Sequence, residues 1–154
     1  MHIILYQPEI PGNTGSVGRV CVGTGTALHL VGKLGFSLDE AAVRRAGLDY
    51  WAKVDLHVHT DWPALCAALP GVTFHFFSAH GGVRYDRVAY GPDDALVFGG
   101  ETRGFPEGFP EDRAVAELVF LPTNSDIRSL NLANAVTAVL YEALRQQGFA
   151  GLGA

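Results

Sequence analysis

The chain has 154 residues, 48% of them hydrophobic, and a formal net charge of −5. This length and apolar content predict one globular domain with one core, and no run of about 18 apolar residues is present to form a membrane helix. The acidic charge excludes nucleic-acid binding by bulk positive charge, because phosphate contacts need clustered Lys or Arg. No basic region precedes the first apolar segment, so we expect a cytoplasmic protein without a signal peptide.

Short apolar runs rich in β-formers alternate with helical patterns along the chain. They predict a strand at 2–6, a helix at 14–24, a strand at 28–31, a helix from 39 or 40 to 46, a strand at 54–58, a helix at 62–69, strands at 72–77, 95–98 and 118–121, and a final helix ending near 147. This rhythm predicts one α/β domain over residues 1–154, with a mostly parallel sheet covered by helices on both faces. The glycine-rich tail, 148–154, is expected to fray.

The cysteines and histidines give little support for a metal site or a disulfide. Cys21 and Cys66 are far apart and lack a CxxC spacing, so we interpret both as buried thiols. His57 and His59 fall on one face of a predicted strand, which suits a metal pair but is more often coincidence. We therefore expect no metal.

In open α/β sheets ligands bind beyond the carboxyl ends of the strands, and the loop after the first strand has unusual features there. Asn13 is a suitable N-cap, while Gly15 and Gly18 lie inside the following helix, where each glycine costs roughly 1 kcal/mol relative to alanine. That cost indicates close approach by another helix, a second subunit or a ligand. Arg19 could then hold an anion, or it is an ordinary surface arginine.

A second candidate loop follows the strand at 95–98, where the chain breaks on Gly99-Gly100 and continues as Glu101-Thr102-Arg103-Gly104. Glycines after a strand allow backbone amides to approach a ligand closely. The Gly-x-Gly-x-x-Gly pattern with a long helix is absent, because Phe105-Pro106 closes the loop, and no Walker phosphate loop is present. Dinucleotide binding and nucleotide hydrolysis are therefore disfavoured.

A third candidate site is the start of the final helix, where Ser129, Asn131 and Asn134 surround backbone N–H groups that lack helical partners. The helix then presents an apolar flank for packing, formed by Leu132, Val136, Val139, Leu140, Ala143 and Leu144. The alternative is an ordinary capped core helix. A serine hydrolase is unsupported, because no Gly-x-Ser-x-Gly elbow occurs.

The three loops in this order resemble the SPOUT superfamily of S-adenosylmethionine-dependent RNA methyltransferases, in its ribose 2′-O-methylating branch. The resemblance rests on three segments: Asn13 to Arg19, then Phe98-Gly99-x-Glu101-Thr102-Arg103-Gly104, then Pro122 with Ser129-Leu130-Asn131-Leu132-Ala133-Asn134-Ala135-Val136. The segments 6–15 and 45–50, and the lack of an N-terminal RNA-binding extension, resemble its smallest members, the TrmL-like tRNA (cytidine/uridine-34)-2′-O-methyltransferases.

This resemblance implies a C-terminal deep trefoil knot, with S-adenosylmethionine bound in it and S-adenosylhomocysteine as the product. It also implies a homodimer through the flanks of the first and last helices, with the anticodon loop of tRNA as partner and no membrane. The implied cofactor residues are Phe77, Ser78, Gly99, Glu101, Gly104, Leu121, Ser129 and Asn134. The implied catalytic residues are Arg19, Ser129 and Asn131, and the implied substrate-binding residues are Asn13, Arg19, Arg103 and Arg128.

Arg19 is the catalytic candidate of this family, but a guanidinium with a pKa above about 12 is a poor base. We therefore expect Arg19 to hold the adjacent phosphate and the developing alkoxide. A small basic patch is expected around Arg19, Arg44, Arg45 and Arg128. The alternatives are 2′-O-methylation of another tRNA or rRNA nucleotide, a knotted dimer that binds a nucleoside without catalysis, and an unknotted flavodoxin-like monomer.

Overall fold

The computed structural model of the protein describes residues 1–39, 49–109 and 118–153, and seven strands of this part of the chain form one sheet. The sheet order is β3-β2-β1-β6-β4-β7-β5, and all the strand pairs described in it are parallel. The strands are β1 His2–Tyr6, β2 Ala27–Val31, β3 Leu56–His59, β4 Phe74–Phe77, β5 Val83–Arg84, β6 Ala95–Phe98 and β7 Val119–Phe120. The predicted parallel sheet is confirmed; the two-residue β5 was not predicted.

Three helices are described: α1 Pro11–Thr24, α2 Trp62–Ala68 and α3 Leu132–Gln146. α1 begins earlier than predicted because Pro11, with no N–H and a fixed φ, suits the first helical position. It ends as expected at Gly25, whose φ of 65° is left-handed. None of the helices described is long and apolar enough to cross a bilayer. The helix predicted from 39 or 40 to 46 lies outside the described residues.

The core has two layers, one on each face of the sheet. Because successive strand residues point to opposite faces, Ile3 packs in the layer that contains Val17 of α1 and Val136 of α3, whereas Ile4 packs with Leu65 of α2. All five side chains are fully buried. Helices therefore cover both faces of the sheet, as predicted. The tail, which was expected to fray, continues in hydrogen-bonded turns as far as Leu152.

Gly15 and Gly18 of α1 contact another segment of the same chain. A Cβ on Gly18 would lie 2.7 Å from Cζ3 of Trp51, in the 3-10 turn Trp51–Lys53. The hydroxyl of Tyr50 donates to the carbonyl of Gly15 at 2.7 Å. Within the chain, an internal turn therefore approaches Gly15 and Gly18 closely.

The cysteines differ in burial. Cys21 is buried, and burial raises the pKa of its thiol to about 12, which keeps it protonated and unreactive. Cys66 is half-buried, so the expectation that both are buried thiols is wrong for Cys66. Cys66 lies in α2, a helix of seven residues in which only Leu65 is buried.

Histidines from three neighbouring strands form a network on the α2 face. Nε2 of His29 lies 3.0 Å from Nδ1 of His2, its Nδ1 lies 3.0 Å from Nε2 of His59, and its ring stacks on that of His57 at 4.6 Å. Burial, and then the neighbouring histidines, lower the pKa of His29 to about 3. In the described part of the chain, no group of three or more His, Cys, Asp or Glu is arranged to hold a metal ion.

This network predicts loss of stability in acid. The pKa of His29 in the folded chain lies below its ordinary value of 6.5, so below that pH the unfolded chain binds more protons. The free energy of unfolding should fall by about 2 kcal/mol between pH 7 and pH 5 from His29 alone. Burial lowers the pKa values of His2 and His59 as well, which acts in the same direction. Urea denaturation at the two pH values measures the loss. His29→Leu should reduce it; an unchanged pH dependence would contradict the assignment.

Candidate active site

A cavity of about 650 Å³ lies beyond the carboxyl ends of β4, β6 and β7, where ligands bind in open α/β sheets. This volume is within the range of about 300–1,000 Å³ typical of small-molecule sites. Three segments supply most of its wall: the residues after β4, the loop after β6, and the start of α3. The lining residues include Ile10, Asn13, Phe77, Ser78, His80, Gly99, Gly100, Glu101, Thr102, Arg103, Gly104, Leu121, Arg128, Ser129, Asn131 and Leu132.

Most of the predicted site residues line this one cavity. All the predicted cofactor residues except Asn134 do so, as do Asn13, Arg103, Arg128 and Asn131. Asn134 is exposed on the first turn of α3, and Arg19 is exposed on α1; neither lines the cavity. His80, two residues beyond Ser78, lines it without having been predicted. The rule that sites follow strand ends could have found His80.

The loop after β6 is folded tightly on itself. Gly100 and Gly104 form a bridge in which the N–H of each donates to the carbonyl of the other, at 3.1 and 2.8 Å. A Cβ on Gly99 would lie 2.7 Å from both the carbonyl oxygen of Gly104 and the nitrogen of Phe105. Glycine at 99 therefore lets the two ends of the loop pack backbone against backbone.

Glu101, at the tip of this loop, caps the start of α1. Its carboxylate accepts from the N–H of Glu9 at 2.8 Å, the N–H of Ile10 at 3.2 Å and Nδ2 of Asn13 at 3.1 Å. The first turn of α1 has no acidic residue, so Glu101 supplies the negative charge that favours a helix N-terminus. The prediction that Asn13 is the N-cap is wrong: Ile10 is the N-cap, and Asn13 lies in the first turn.

Asn131, one of the three polar residues predicted at the helix start, is the N-cap of α3. Its Oδ1 accepts from the N–H of Ala133 at 2.9 Å and of Asn134 at 3.3 Å. Its Nδ2 is then directed to Asn13, whose Oδ1 accepts at 2.9 Å. Together with Glu101, these contacts join all three predicted loops around one cavity.

Arg19 lies apart from this cavity, on the exposed side of α1. The centre of its guanidinium is 5.5 Å from the ring centroid of Tyr50, whose hydroxyl is fixed to Gly15. Arg19 is six residues, roughly 9 Å of helix, beyond Asn13. Within one chain, the structure therefore does not bring Arg19 together with Ser129 and Asn131.

A cavity beyond the carboxyl ends of a parallel α/β sheet, walled by a glycine-bridged loop and a polar helix start, is typical of small-molecule binding sites. Residues 1–141 match the model of the SpoU rRNA Methylase family. The chain belongs to this family, and it is a methyltransferase. The resemblance to the SPOUT superfamily is confirmed.

Relatives match over nearly the whole chain. A tRNA (cytidine(34)-2′-O)-methyltransferase of Methylovorus glucosotrophus (strain SIP3-4) is 48% identical over 149 residues, covering 97% of each chain. A solved structure from work on the 2-OH methylation of C/U34 on tRNA is 43% identical with a TM-score of 0.85, covering 96% of this chain and 95% of that chain. The AdoMet complex of the SpoU methyltransferase AviRb from Streptomyces viridochromogenes is 25% identical with a TM-score of 0.77, covering 96% of this chain and 60% of that chain.

Proposed function

We propose that the protein transfers the methyl group of S-adenosylmethionine to the ribose 2′-hydroxyl of the wobble nucleotide, cytidine or uridine 34, of tRNA. The observation that carries the proposal is the meeting of all three motif loops at one cavity. The 48% identity to a tRNA (cytidine(34)-2′-O)-methyltransferase supports the same substrate. We place this activity in the cytoplasm.

The residues of the cavity fit this methyl donor. Phe77, Leu121 and Leu132 offer apolar contact for a flat base, while Ser78 and Ser129 offer hydroxyl groups. Gly100 and Gly104, joined by their bridge, bring backbone without side chains to the same wall. When bound, S-adenosylmethionine supplies an electrophilic methyl group on a sulfonium.

The side chains then act on the ribose. Arg19 holds the phosphate next to the reacting ribose and stabilises the negative charge that develops on the 2′-oxygen, while phosphate or water takes the proton. Ser129 and Asn131 orient the donor or the ribose from the α3 start. Asn13, Arg103 and Arg128 contact the RNA. Arg128 is held beside the donor loop, the loop 99–104 at the proposed methyl-donor site, because its Nη2 donates to the carbonyl of Thr102 at 3.3 Å.

We include a homodimer in this proposal, formed through the first and last helices, so that Arg19 reaches a partner's cavity. The apolar flank of α3 was expected to form the seam, but Val136, Val139 and Leu140 are fully buried in the chain's own core. The dimer contact would instead use the outward faces, such as Ser16 of α1 with Ala138 and Tyr141 of α3, all exposed.

The deep trefoil knot and the tRNA surface belong to the same proposal. The order of the elements along the chain supports the knot. β7 lies between β4 and β5 in the sheet, and the chain then continues into α3, which packs against α1 and β6. For tRNA, Arg19 and Arg128 are the described members of the expected basic patch. Arg44 and Arg45 lie outside the described residues.

Transfer of labelled methyl from S-adenosylmethionine to tRNA tests the proposal, with the modified nucleotide mapped by mass spectrometry. We expect one 2′-O-methyl group, at nucleotide 34, and none in a tRNA carrying 2′-deoxyribose there. Methylation of a different nucleotide would favour the wider alternative. No label in RNA would favour a nucleoside-binding dimer.

Tyr50 should contribute to the rate by orienting Arg19. A cation–π contact at an exposed site contributes about 0.5–1 kcal/mol, so Tyr50→Leu should lower the single-turnover rate about two- to fivefold. Tyr50→Phe keeps the ring and should retain most of the rate. If both variants lose the same activity, the hydrogen bond to Gly15 matters and the ring contact does not.

A further inference from the structure

Glu9, in the segment after β1, exchanges hydrogen bonds with the donor loop 99–104. The N–H of Glu9 donates to Oε2 of Glu101 at 2.8 Å. In return, Thr102 donates through its N–H to Oε1 of Glu9 at 3.4 Å and through its hydroxyl to Oε2 of Glu9 at 2.5 Å. We call Glu9, Glu101 and Thr102 the loop clamp, because each loop both donates to the other and accepts from it.

Glu9 lies behind the donor loop rather than in the cavity. Glu101 and Thr102 line the cavity, whereas Glu9 lines only a smaller neighbouring cleft, with Gln7 and Glu107. A molecule bound in the cavity would therefore meet the loop and not the Glu9 carboxylate. Any effect of Glu9 on that molecule has to pass through the loop.

The backbone leaves space for this carboxylate. A Cβ on Gly100 would lie 2.8 Å from Oε1 of Glu9 and 2.9 Å from the carbonyl oxygen of Gln7. Gly100 also forms the bridge with Gly104 that closes the loop. Glycine at position 100 therefore both closes the loop and leaves space for the Glu9 carboxylate.

The clamp also reaches the helix that carries Arg19. The second oxygen of Glu101 accepts from the N–H of Ile10, the N-cap of α1, and from Asn13. Asn13 in turn accepts from Asn131 at the start of α3. The position of the donor loop and the position of the α1 N-terminus are consequently set by one set of hydrogen bonds.

We propose that Glu9 is a positioning residue of the methyl-donor site. It holds loop 99–104 in its ligand-binding shape through Thr102 and fixes that loop relative to α1. The inference rests on the proposed function, in that the cavity is taken to bind S-adenosylmethionine. A carboxylate is suited to the task because it accepts from both the N–H and the hydroxyl of Thr102.

Kinetics and calorimetry on the intact protein provide the first test. Glu9→Ala and Thr102→Val should each raise the KM and the Kd for S-adenosylmethionine about tenfold, with kcat at saturating donor within about twofold of wild type. The double variant should be no worse than Glu9→Ala alone, because Glu9→Ala already removes the contact that Thr102→Val removes. Glu9→Gln, which keeps an acceptor for the Thr102 N–H, should bind the donor within about threefold of wild type.

Asp55→Ala is the charge-matched control, since it removes an exposed carboxylate that pairs with His57 beside the far edge of the sheet. It should leave the KM for the donor unchanged. A merely structural role for Glu9 would lower the melting temperature but leave the Kd of the folded protein unchanged. That result would overturn the inference.

Hydrogen exchange separates failure of this inference from failure of the proposed function. In the free protein, Glu9→Ala and Thr102→Val should speed exchange of the Gly100 and Gly104 amides, whereas Asp55→Ala should not. This readout supports the clamp even if the wild-type protein methylates no tRNA. If exchange in Glu9→Ala equals that of wild type, the inference is overturned even in a fully active methyltransferase.

Discussion

Arg19→Ala should lower the rate of methyl transfer to tRNA by about 10²- to 10³-fold while leaving the affinity for S-adenosylmethionine within about twofold of wild type. The rate falls because the guanidinium that stabilises the developing negative charge is lost, and groups of this kind contribute about that factor. The affinity is retained because Arg19 does not line the cavity of its own chain. Single-turnover rates and calorimetry on the same preparations measure the two effects.

Arg19→Lys should lose most of the rate as well, because an ammonium keeps the charge but not the planar pair of donors that matches a phosphate. Arg84→Ala is the matched control, since Arg84 is an exposed arginine paired with Asp86. If Arg19→Ala weakens donor binding strongly instead, Arg19 belongs to the cofactor site, and its assigned role is wrong.

Mixing two variants, one without Arg19 and one with a defective cavity, tests whether Arg19 of one chain completes the cavity of its partner. An Arg19→Ala chain and a chain whose cavity cannot bind S-adenosylmethionine should each have almost no activity alone. In a symmetric dimer, the heterodimers of such a mixture contain one complete site, so about a quarter of the wild-type sites should recover activity. No recovery after refolding the two chains together would contradict the shared site.

The sequence was sufficient to predict a parallel sheet and the loops that line the cavity, because both follow from local patterns. β1 and β6 were predicted residue for residue, since each is a short apolar run. The cavity followed from the rule that loops at strand ends carry the site, together with Gly99 and Asn131, whose roles are local: a close backbone approach and an N-cap.

What could not be predicted depends on contacts between distant segments. Asn13 is a residue type that often caps helices. Instead, Glu101, 88 residues away, accepts from its Nδ2 and from the N–H groups at the start of α1. The ring of Trp51 leaves no space for a side chain at position 18, which explains the glycine there. Nothing in the local pattern around either residue indicates the other. The loop clamp was missed for the same reason, because Glu9 and Thr102 meet only after β1 and β6 pair.

Gly99→Ala should raise the Kd for S-adenosylmethionine at least tenfold and lower the free energy of unfolding by about 1–3 kcal/mol, the usual effect of overpacking. The added Cβ would lie 2.7 Å from two backbone atoms, the oxygen of Gly104 and the nitrogen of Phe105. Backbone atoms cannot rotate away as a side chain can, so the bridge between Gly100 and Gly104 has to open. Isothermal titration with the donor and urea denaturation measure the two losses.

Two further alanine variants distinguish the steric effect of the added Cβ from the effect of an unfavourable backbone conformation. Gly153→Ala is the control, because no heavy atom lies within 4 Å of the added Cβ, and it should change neither quantity. Gly104→Ala also has open space but a φ of +67°, so it should cost only the left-handed strain of about 1–2 kcal/mol and weaken donor binding less than Gly99→Ala. Donor affinity at the wild-type level in folded Gly99→Ala would show that the tight closure of this loop is not needed for binding. The cavity would then hold the donor through Phe77, Leu121 and the start of α3 alone.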